Sequence, residues 1–466
     1  MGGMEWSFAC ILMLGIMVFF MGSADAAEYQ VGPEKSYASI GDVPWESLNP
    51  GDMVSIYWRR DPYNEKWVIC RRGEEGNPIT VRGIPGPDGQ LPVIDGRDAT
   101  TRTSLNYWNG RRSVIKIGGA NTPPDTMPAY IIVKNLDIRS ARPPYTFSDH
   151  DGVIQEYASN ASSIYVEKGE HIIISNCIIR DSGNGLFISH DTSDSVVEGC
   201  WVYDNGIEGS IYHHNSYTSA AGLTFQYNRY GSLREGCRGN NLKDRSAGLI
   251  VRYNWIEGGN RQLDLVDAGG NSPLQKDPRY RETFVYGNIL IEPDGAGNSQ
   301  IVHYGGDSRN SDSYRKGKLY FYNNTVVSTR RGNTTLLRLS TNEERAECWN
   351  NVVYVTADGN RLAMLASAGA QNLSHNWLKP GWVSSHGDFT GTINDDDTSV
   401  TGRNPGFVDE ASQDYHLRAD SDCIKAGKLS DYGVPYQYVR HRSSEVRPGE
   451  DGIDVGALGQ KTEARQ

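Results

Sequence analysis

The sequence predicts an all-β protein, a parallel β-helix in which the chain winds through stacked coils of short strands. Two observations support this class. A short apolar run with a turn residue near its centre recurs at intervals of 23 to 41 residues, and no helical pattern separates the repeats. Periods of about 20 to 50 residues mark solenoids, and short strands as the repeating unit mark a β-helix. The turn residues are Asn135, Asn176, Gly199, Asn228, Asn254, Asn288, Asn324, Asn351 and Asn376.

The first segment of the chain has the pattern of a secretory signal peptide. An apolar run from Cys10 to Met21 precedes Ala24-Asp25-Ala26, a small-residue cleavage pattern. The run is too short for a comfortable membrane span. We therefore expect residues 1–26 to be a signal peptide, the protein to be secreted or periplasmic, and no segment to insert in a membrane.

Three further segments follow from the distribution of the repeats. Residues 27–128 are rich in Pro, Gly and short β runs, which we interpret as an N-terminal cap and the first coils. The regular repeats predict the core of the β-helix over residues 129–380. Residues 381–466 are irregular, and we interpret them as a C-terminal cap, because a solenoid needs one to shield its open end.

The recurring asparagines are interpreted as structural residues. A tight turn within one coil requires a residue that tolerates a left-handed backbone and can hydrogen-bond locally. Asparagines stacked from coil to coil can also bond to one another in a ladder. By the same register, Cys177 and Cys200 lie at equivalent positions of adjacent coils. We expect a pair of buried thiols there, because in-register parallel neighbours rarely have the torsion of a disulfide.

A basic window lies inside an acidic protein. The chain of 466 residues has a formal net charge of −11, whereas residues 229–261 contain seven cations and three acids. Such a patch favours specific recognition of an anion over bulk attraction. Export and the fold argue against nucleic acid, so the expected partner is an acidic polysaccharide. The alternative is a solvated charged face with internal ion pairs.

Lys243 and Arg245 lie at the centre of this window. They are two residues apart on a predicted strand, so both point to the same face. An enzyme that eliminates across a uronate must neutralise the carboxylate, remove the α-proton and protonate the leaving oxygen. We predict Lys243 as the base, because neighbouring cations help a lysine to lose its proton. Arg245 is predicted to neutralise or position the carboxylate.

The coil before Lys243 offers candidates for the catalytic acid. Tyr212 and His213 alternate there, so one of them points into any groove beside Lys243. Adjacent histidines also suggest a metal, but no third ligand has recognisable spacing, and no metal site is predicted. The predicted substrate-binding residues are His214, Arg238, Arg252, Arg261, Asp264, Asp267, His303 and Tyr304.

Asp264 and Asp267 support a rival interpretation. Two carboxylates in a groove suit an inverting glycoside hydrolase, in which one acts as the acid and the other as the base. They are three residues apart on an extended chain, so they share a face only if the strand turns between them. We favour an ion pair of Asp264 with Lys243 or Arg245 across coils.

The repeats and the tail, residues 130–459, resemble the right-handed parallel β-helix superfamily of pectate lyase-like proteins. The segment 241–251 is similar to the His-Asp-Arg-Ser segment of mannuronan C5-epimerases, with Lys243 at the histidine's place. The wider run to Leu265 resembles alginate lyases and chondroitinases of the chondroitinase B type, whose lysine base carries over onto Lys243. The arginine and histidine of that family fall on Val266 and Asp267.

The calcium ligands of that lyase family fall near Gly236 and Arg238, which offer no carboxylate, so we expect no cofactor. Residues and resemblance together predict a secreted lyase that cleaves a uronate-containing polysaccharide by β-elimination. The alternatives are a uronan C5-epimerase, a glycoside hydrolase on the same scaffold, and a non-catalytic polysaccharide-binding protein.

Overall fold

The computed structural model describes residues 26–448 and 452–461. The predicted signal peptide therefore lies outside the described residues, apart from its last residue. The described chain is almost entirely β, with 39 strands and one short α-helix. Within these residues, no helix has the length and apolar character needed to cross a membrane.

The strands are given in chain order. The N-terminal strands are β1 (Glu28–Val31), β2 (Met53–Tyr57), β3 (Trp67–Ile69), β4 (Ile79–Ile84), β5 (Val93–Asp95), β6 (Ala99–Thr100), β7 (Ser113–Ile117), β8 (Ala129–Lys134), β9 (Asp137–Arg139), β10 (Thr146–Ser148) and β11 (Ile154–Glu156). The central strands are β12 (Ser162–Ser175), β13 (Ile178–Arg180), β14 (Asn184–Glu198), β15 (Trp201–Tyr203), β16 (Ser216–Thr218), β17 (Ala221–Gln226), β18 (Arg229–Tyr230), β19 (Leu242–Asp244), β20 (Ala247–Arg252), β21 (Trp255–Glu257), β22 (Leu263–Leu265), β23 (Glu282–Tyr286) and β24 (Ile289–Glu292).

The remaining strands are β25 (Gln300–Tyr304), β26 (Lys318–Tyr322), β27 (Thr325–Ser328), β28 (Thr334–Leu339), β29 (Arg345–Trp349), β30 (Val352–Val355), β31 (Leu362–Leu365), β32 (Ala370–Ser374), β33 (Trp377–Leu378), β34 (Thr392–Asp395), β35 (Val400–Thr401), β36 (Phe407–Asp409), β37 (Asp414–Leu417), β38 (Tyr436–Val439) and β39 (Ser443–Val446). The α-helix is α1 (Ser272–Lys276), and 3-10 turns lie at Ile40–Asp42, Gly110–Arg112, Pro278–Arg281 and Ser311–Ser313.

Successive coils build three parallel sheets. The first sheet runs β3-β7-β12-β14-β16-β19-β22-β25-β28-β31, and the second runs β1-β2-β4-β8-β12-β14-β17-β20-β23-β26-β29-β32-β34. The third sheet runs β5-β9-β13-β15-β18-β21-β24-β27-β30-β33-β35. The long strands β12 and β14 pass from the first sheet into the second and pair in both. The chain is a right-handed parallel β-helix, which confirms the predicted fold class.

The coils extend beyond the boundaries expected from the repeats. β1 already pairs with β2 in the second sheet, so the predicted N-terminal segment 27–128 is part of the solenoid from Glu28 onwards. At the other end, β34 and β35 continue the second and third sheets to Thr401, past the expected limit at residue 380. β34 and β35 escaped prediction because their coil lacks the recurring asparagine, whereas first coils were expected within residues 27–128.

The asparagine ladder is present, and its register differs from the expected one by one residue in the first coils. From Asn228 to Asn376, each side-chain amide donates to the side-chain oxygen of the next asparagine over 2.9 to 3.1 Å. The left-handed residue is the one that precedes the ladder, as at Tyr227 and Tyr253. Asn135, Asn176 and Gly199 are themselves left-handed, so they stand one position before the ladder.

Cys177 and Cys200 occupy the ladder position in their coils. Both are free thiols buried in the core, as predicted. The backbone amide of Cys200 donates to Asn228 Oδ1 over 2.9 Å, so the ladder begins where the cysteines end. A thiol fills the same interior position as the asparagine and leaves the turn without its side-chain amide.

Beyond Thr401 the chain packs along the third sheet of the solenoid. Phe407, Tyr415 and Tyr438 pack in one buried apolar cluster with Trp255 and Trp377 of the third sheet. Within the predicted C-terminal segment 381–466, residues up to Thr401 thus form the last strands of the solenoid, and the chain beyond them covers the third sheet. The third sheet carries large apolar residues on its outer face, and the returning chain removes them from water.

Replacing Asn288 by Ala tests the ladder. The Asn288 amide donates to Val251 O and Asn324 Oδ1, and its oxygen accepts from Asn254. We expect the free energy of unfolding to fall by about 3 kcal/mol, because buried groups left without partners cost about 1–3 kcal/mol each. Guanidinium denaturation followed by circular dichroism measures the change. Exposed Asn360→Ala should stay within about 0.5 kcal/mol of the parent, and equal losses in both variants would contradict a structural ladder.

Candidate functional site

One outward-facing column of the first sheet contains the candidate site. Tyr217, Lys243, Asp264, His303 and Arg338 are paired in register on β16, β19, β22, β25 and β28. Their strand neighbours on the other side are buried in the interior, so the column points away from the core. Stacking of coils therefore places five polar side chains about 4.8 Å apart, although they are far apart in sequence.

A network of ion pairs forms the centre of the site. Lys243 Nζ lies 2.5 Å from Asp264 Oδ2 and 2.6 Å from Asp307 Oδ2. Arg245 Nη2 lies 2.8 Å from Asp307 Oδ1. The Asp307 carboxylate therefore bridges the two cations, one oxygen to each. The structure also contains the ion pair between Lys243 and Asp264 that the sequence favoured.

Asp264 is the buried anchor of this network. Its oxygens accept from Asn240 Nδ2 over 2.8 Å and from His303 Nδ1 over 2.7 Å, and Arg261 lies 3.9 Å away. Burial by itself would raise the pKa of Asp264, but Lys243, His303 and Arg261 outweigh it and hold the pKa well below the usual range. Asp264 is consequently a permanent anion at neutral pH.

The proton arrangement at His303 follows from its two partners. Burial lowers the pKa of His303, so the ring is neutral at pH 7. Because ionised Asp264 can only accept, Nδ1 carries the proton. Nε2 is then an acceptor and faces Ser340 Oγ at 3.0 Å. His303 has both nitrogens engaged, and its role in this geometry is to orient Asp264.

Asp267 shapes the loop that carries Asp307. It is fully buried, and its Oδ2 accepts from the backbone amides of Asp307 at 2.7 Å and Ser308 at 3.1 Å. Its Oδ1 accepts from Gly269 N over 2.8 Å. Asp267 is therefore a structural residue, which corrects its prediction as a substrate-binding residue. Because Asp267 has this structural role, it is not available as one of the two groove carboxylates that a hydrolase would need.

Tyr217 is a site residue that sequence reasoning did not select. Arg245 Nε donates to the Tyr217 hydroxyl over 3.0 Å, and the tyrosine pairs in register with Lys243. Burial alone would lower the pKa of Arg245, but contacts with Tyr217 and Asp307 outweigh it and raise the pKa. The signal that could have found Tyr217 was the spacing of 216–218 and 242–244 as equivalent strands of neighbouring coils.

The predicted acids lie away from the centre of the site. Tyr212 is 75% exposed on the loop between β15 and β16, and His213 Nδ1 lies 2.6 Å from Ser210 Oγ in that loop. Neither residue has a hydrogen bond or ion pair to Lys243 or Arg245 among the described contacts. The prediction of these two residues as the catalytic acid is corrected, because they lie on the loop that precedes β16 and not on a strand of the coil.

His214 is buried behind the site and supports one of its residues. It is 2% exposed, and its Nδ1 accepts from the backbone amide of Asn240 over 2.9 Å. Burial and the nearby Lys243 cation lower the pKa of His214 to about 3, so the ring is neutral. The predicted contact of His214 with substrate is corrected to support of Asn240, which in turn bonds Asp264.

Three other predicted substrate contacts lie elsewhere. Tyr304 is fully buried in the solenoid core, which contradicts a contact with substrate. Arg252 lies on β20 of the second sheet and donates to Gln226 and Tyr286. Arg238 is exposed on the loop before β19. The cationic window of the sequence is thus divided among different faces of the coil.

Arg261 is the last cation of the window and lies beside the site. Its Nη2 donates to Gln300 Oε1 over 2.7 Å, and its guanidinium is close to Asp264. The side chain is mostly buried, with 11% exposure. Arg261 therefore adds positive charge beneath the network and presents little of it to solvent.

One group of potential metal ligands occurs among the described residues, at Asp149, His150 and Asp151 of an N-terminal loop. Asp149 already accepts from the amides of Asp151 and Val153 and from Gln155, which accounts for its orientation. Nothing there points to a bound ion. Gly236 and Arg238, onto which the resemblance places calcium ligands, offer no carboxylate.

Comparisons with known proteins agree with the fold. The model of the right handed beta helix region matches residues 129–276. The solved structure of a pectate lyase is similar over 94% of this chain and 98% of that one, with 13% identity and a TM-score of 0.53. An alginate lyase from Paenibacillus sp. str. FPU-7 is similar over 79% of this chain and 99% of that one, with 11% identity and a TM-score of 0.48.

A PL6 family polysaccharide lyase from Pseudopedobacter saltans is similar over 78% of this chain and 91% of that one, with 12% identity and a TM-score of 0.42. Among curated proteins, no sequence matches this chain significantly. The family model and the pectate lyase place the chain in the class of right-handed parallel β-helix proteins with a pectate lyase-like fold. The resemblance seen in the sequence is confirmed at this level.

His214→Gln tests whether His214 is buried as a neutral ring, through the pH dependence of the free energy of unfolding. The unfolded chain binds a proton at His214 near pH 6.5 and the folded chain only near pH 3, so the unfolded state binds more protons between these values. Stability from this residue is therefore complete above pH 6.5 and is lost as the pH falls towards 3, by up to about 1.4 kcal/mol per pH unit.

Denaturant titrations from pH 7.5 to 4 measure this slope for the parent and the variant. Gln keeps an acceptor for the Asn240 amide but does not titrate, so we expect the variant to have a shallower slope. Exposed His190→Gln is the matched control and should keep the parent's slope. Identical slopes in all three proteins would show that His214 is not buried as a neutral ring.

Proposed function

We propose that the protein is a polysaccharide lyase that cleaves a uronate-containing polymer by β-elimination. The observation that carries this proposal is the carboxylate bridged by Lys243 Nζ at 2.6 Å and Arg245 Nη2 at 2.8 Å. A uronate carboxylate bound in the same way has its charge neutralised by two cations. Neutralisation stabilises the carbanion that forms when the adjacent α-proton is removed.

In this proposal Lys243 binds the carboxylate rather than acting as the base. Its Nζ contacts the carboxylates of Asp264 and Asp307. Arg245 contacts the same Asp307 carboxylate. The environment of Lys243 is therefore the reverse of the one that its prediction as the base required.

Tyr217 is the proposed proton-transfer group. Its hydroxyl accepts from Arg245 Nε over 3.0 Å, so a cation faces the phenolic oxygen. The phenolate takes the α-proton, the electrons form the new carbon–carbon double bond, and the glycosidic carbon–oxygen bond breaks. The phenol then protonates the leaving oxygen, which restores the phenolate and balances the reaction.

A hydrolase is less well supported by the same site. It needs one carboxylic acid held protonated near neutral pH to protonate the leaving group. Burial would raise the pKa of Asp307, but Lys243 and Arg245 lower it, and the pKa of Asp264 is also held low. Neither carboxyl can serve as that acid.

A uronan C5-epimerase uses the same carbanion and remains the second candidate, on the similarity of residues 241–251. Export belongs to the proposal as well and is supported by the signal pattern of residues 1–26. An acidic polysaccharide outside the cytoplasm is then the proposed partner.

Incubation with a panel of pectate, alginate, chondroitin and hyaluronan tests the activity. We expect ultraviolet absorbance to rise with one polymer, because elimination leaves an unsaturated uronate at the new end. New reducing ends without absorbance would replace the lyase by a hydrolase. A change of uronate stereochemistry at constant chain length, seen by NMR, would replace it by an epimerase.

Tyr217→Phe tests the proton-transfer group, with Tyr212→Phe as its matched control. Phe keeps the ring contacts of Tyr217 with Phe187 and His214 but has no hydroxyl. We expect kcat to fall at least about 100-fold, as general acid–base groups contribute 10²–10⁴-fold, with little change in KM. Exposed Tyr212→Phe should retain the parent rate. A Tyr217→Phe enzyme with parent kcat would eliminate Tyr217 from the chemistry.

A further inference from the structure

Asp307 differs from the rest of the ion network in its position. Its side chain is 33% exposed, whereas those of Lys243 and Asp264 are 9% and 4% exposed. Arg245 is also mostly covered, at 17%. Asp307 is thus the solvent-side member of the network, and a ligand arriving from solvent meets its carboxylate first.

The backbone of the Asp307 loop is fixed without help from the Asp307 carboxylate. Buried Asp267 accepts from the amides of Asp307 and Ser308, and its other oxygen lies 3.3 Å from Ser313 Oγ. At the end of the loop, fully buried Arg315 donates to Val266 O over 3.0 Å. The side chain of Asp307 is therefore free to be exchanged or rotated while the loop stays in place.

The balance of charge around the site leaves room for one further anion when Asp307 moves away. Three cations, Lys243, Arg245 and Arg261, are then opposed by Asp264 and by buried Asp267, which lies 4.0 Å from Arg245, because His303 is neutral. Leaving one of these cations without an anion in a mostly buried site is costly. A second carboxylate with one oxygen towards Lys243 and one towards Arg245 restores the arrangement.

We infer that the Asp307 carboxylate is an internal substitute for the substrate carboxylate, and that a uronate binds to Lys243 and Arg245 by displacing it. The inference rests on the proposed function and names the carboxylate subsite and its competitor. The resting site is then self-occupied, and the open form is the one that binds substrate. Apparent affinity is reduced by the fraction of time that the site is open.

Asp307→Asn removes the competing charge and leaves the loop anchors intact. The probes are galacturonate, guluronate and glucuronate, as monomers and as short oligomers, with binding measured by titration calorimetry. We expect at least one of these probes to bind roughly tenfold more tightly, as a site occupied internally about nine-tenths of the time gains this factor on release. Methyl-esterified oligogalacturonate, which lacks the carboxylate charge, should show no gain.

The matched control is Asp312→Asn, which removes the same charge from an exposed position of the same loop. It should bind the probes as the parent does, because Asp312 has no ion pair with Lys243 or Arg245. A similar gain in both variants would reduce the effect to long-range charge and overturn the inference. Asp307→Ser, with a thermal midpoint close to the parent's, serves as a second variant if the Asn side chain still binds the cations.

The outcomes separate this inference from the lyase proposal. Tighter binding by Asp307→Asn without turnover in either protein supports the carboxylate subsite and rejects the lyase. Unchanged or weaker binding of every probe overturns the subsite, whether or not the parent has activity. A fall in kcat at unchanged affinity also overturns it, because Asp307 would then take part in the reaction itself.

Discussion

In-register stacking of parallel coils is the constraint on which the rest of this structure depends. Residues that are equivalent in successive coils lie about 4.8 Å apart, so any outward-facing position becomes a column of adjacent side chains. The column of Tyr217, Lys243, Asp264 and His303 exists for this reason. The asparagine ladder keeps the register at the opposite corner of the coil, where each amide bonds to the next. A slip of one residue there would point the side chains of the site column into the core.

In the ion network, the carboxylates of Asp264 and Asp307 have different roles because they differ in burial. Asp264 is buried and bonded by Asn240, Lys243 and His303, so it is a fixed counter-charge. Asp307 contacts Lys243 at nearly the same distance but lies at the surface of the network. A fixed anion beneath two cations compensates part of their desolvation cost and keeps them positioned. The exchangeable anion above them determines what the cations can bind next.

The sequence predicted those parts of the molecule that follow from local repetition. The solenoid, the position of Lys243 beside Arg245 and the ion pair with Asp264 all follow from the strand period and the coil repeat. Tyr217 and Asp307 did not, because their proximity depends on which residues of neighbouring coils are in register and on the path of an inserted loop. Tyr304 was misassigned for a related reason, since a shift of one position on a strand changes an outward side chain into an interior one.

The departures from the resembling lyases form a consistent set. The arginine of that family falls on Val266, which is buried here and places no cation at that position. Its histidine falls on Asp267, which adds an anion that fixes the loop of Asp307. A lysine that contacts two carboxylates is placed to bind a carboxylate, so the proposed proton transfer needs another group. Tyr217, whose hydroxyl accepts from Arg245, is the group proposed for that step.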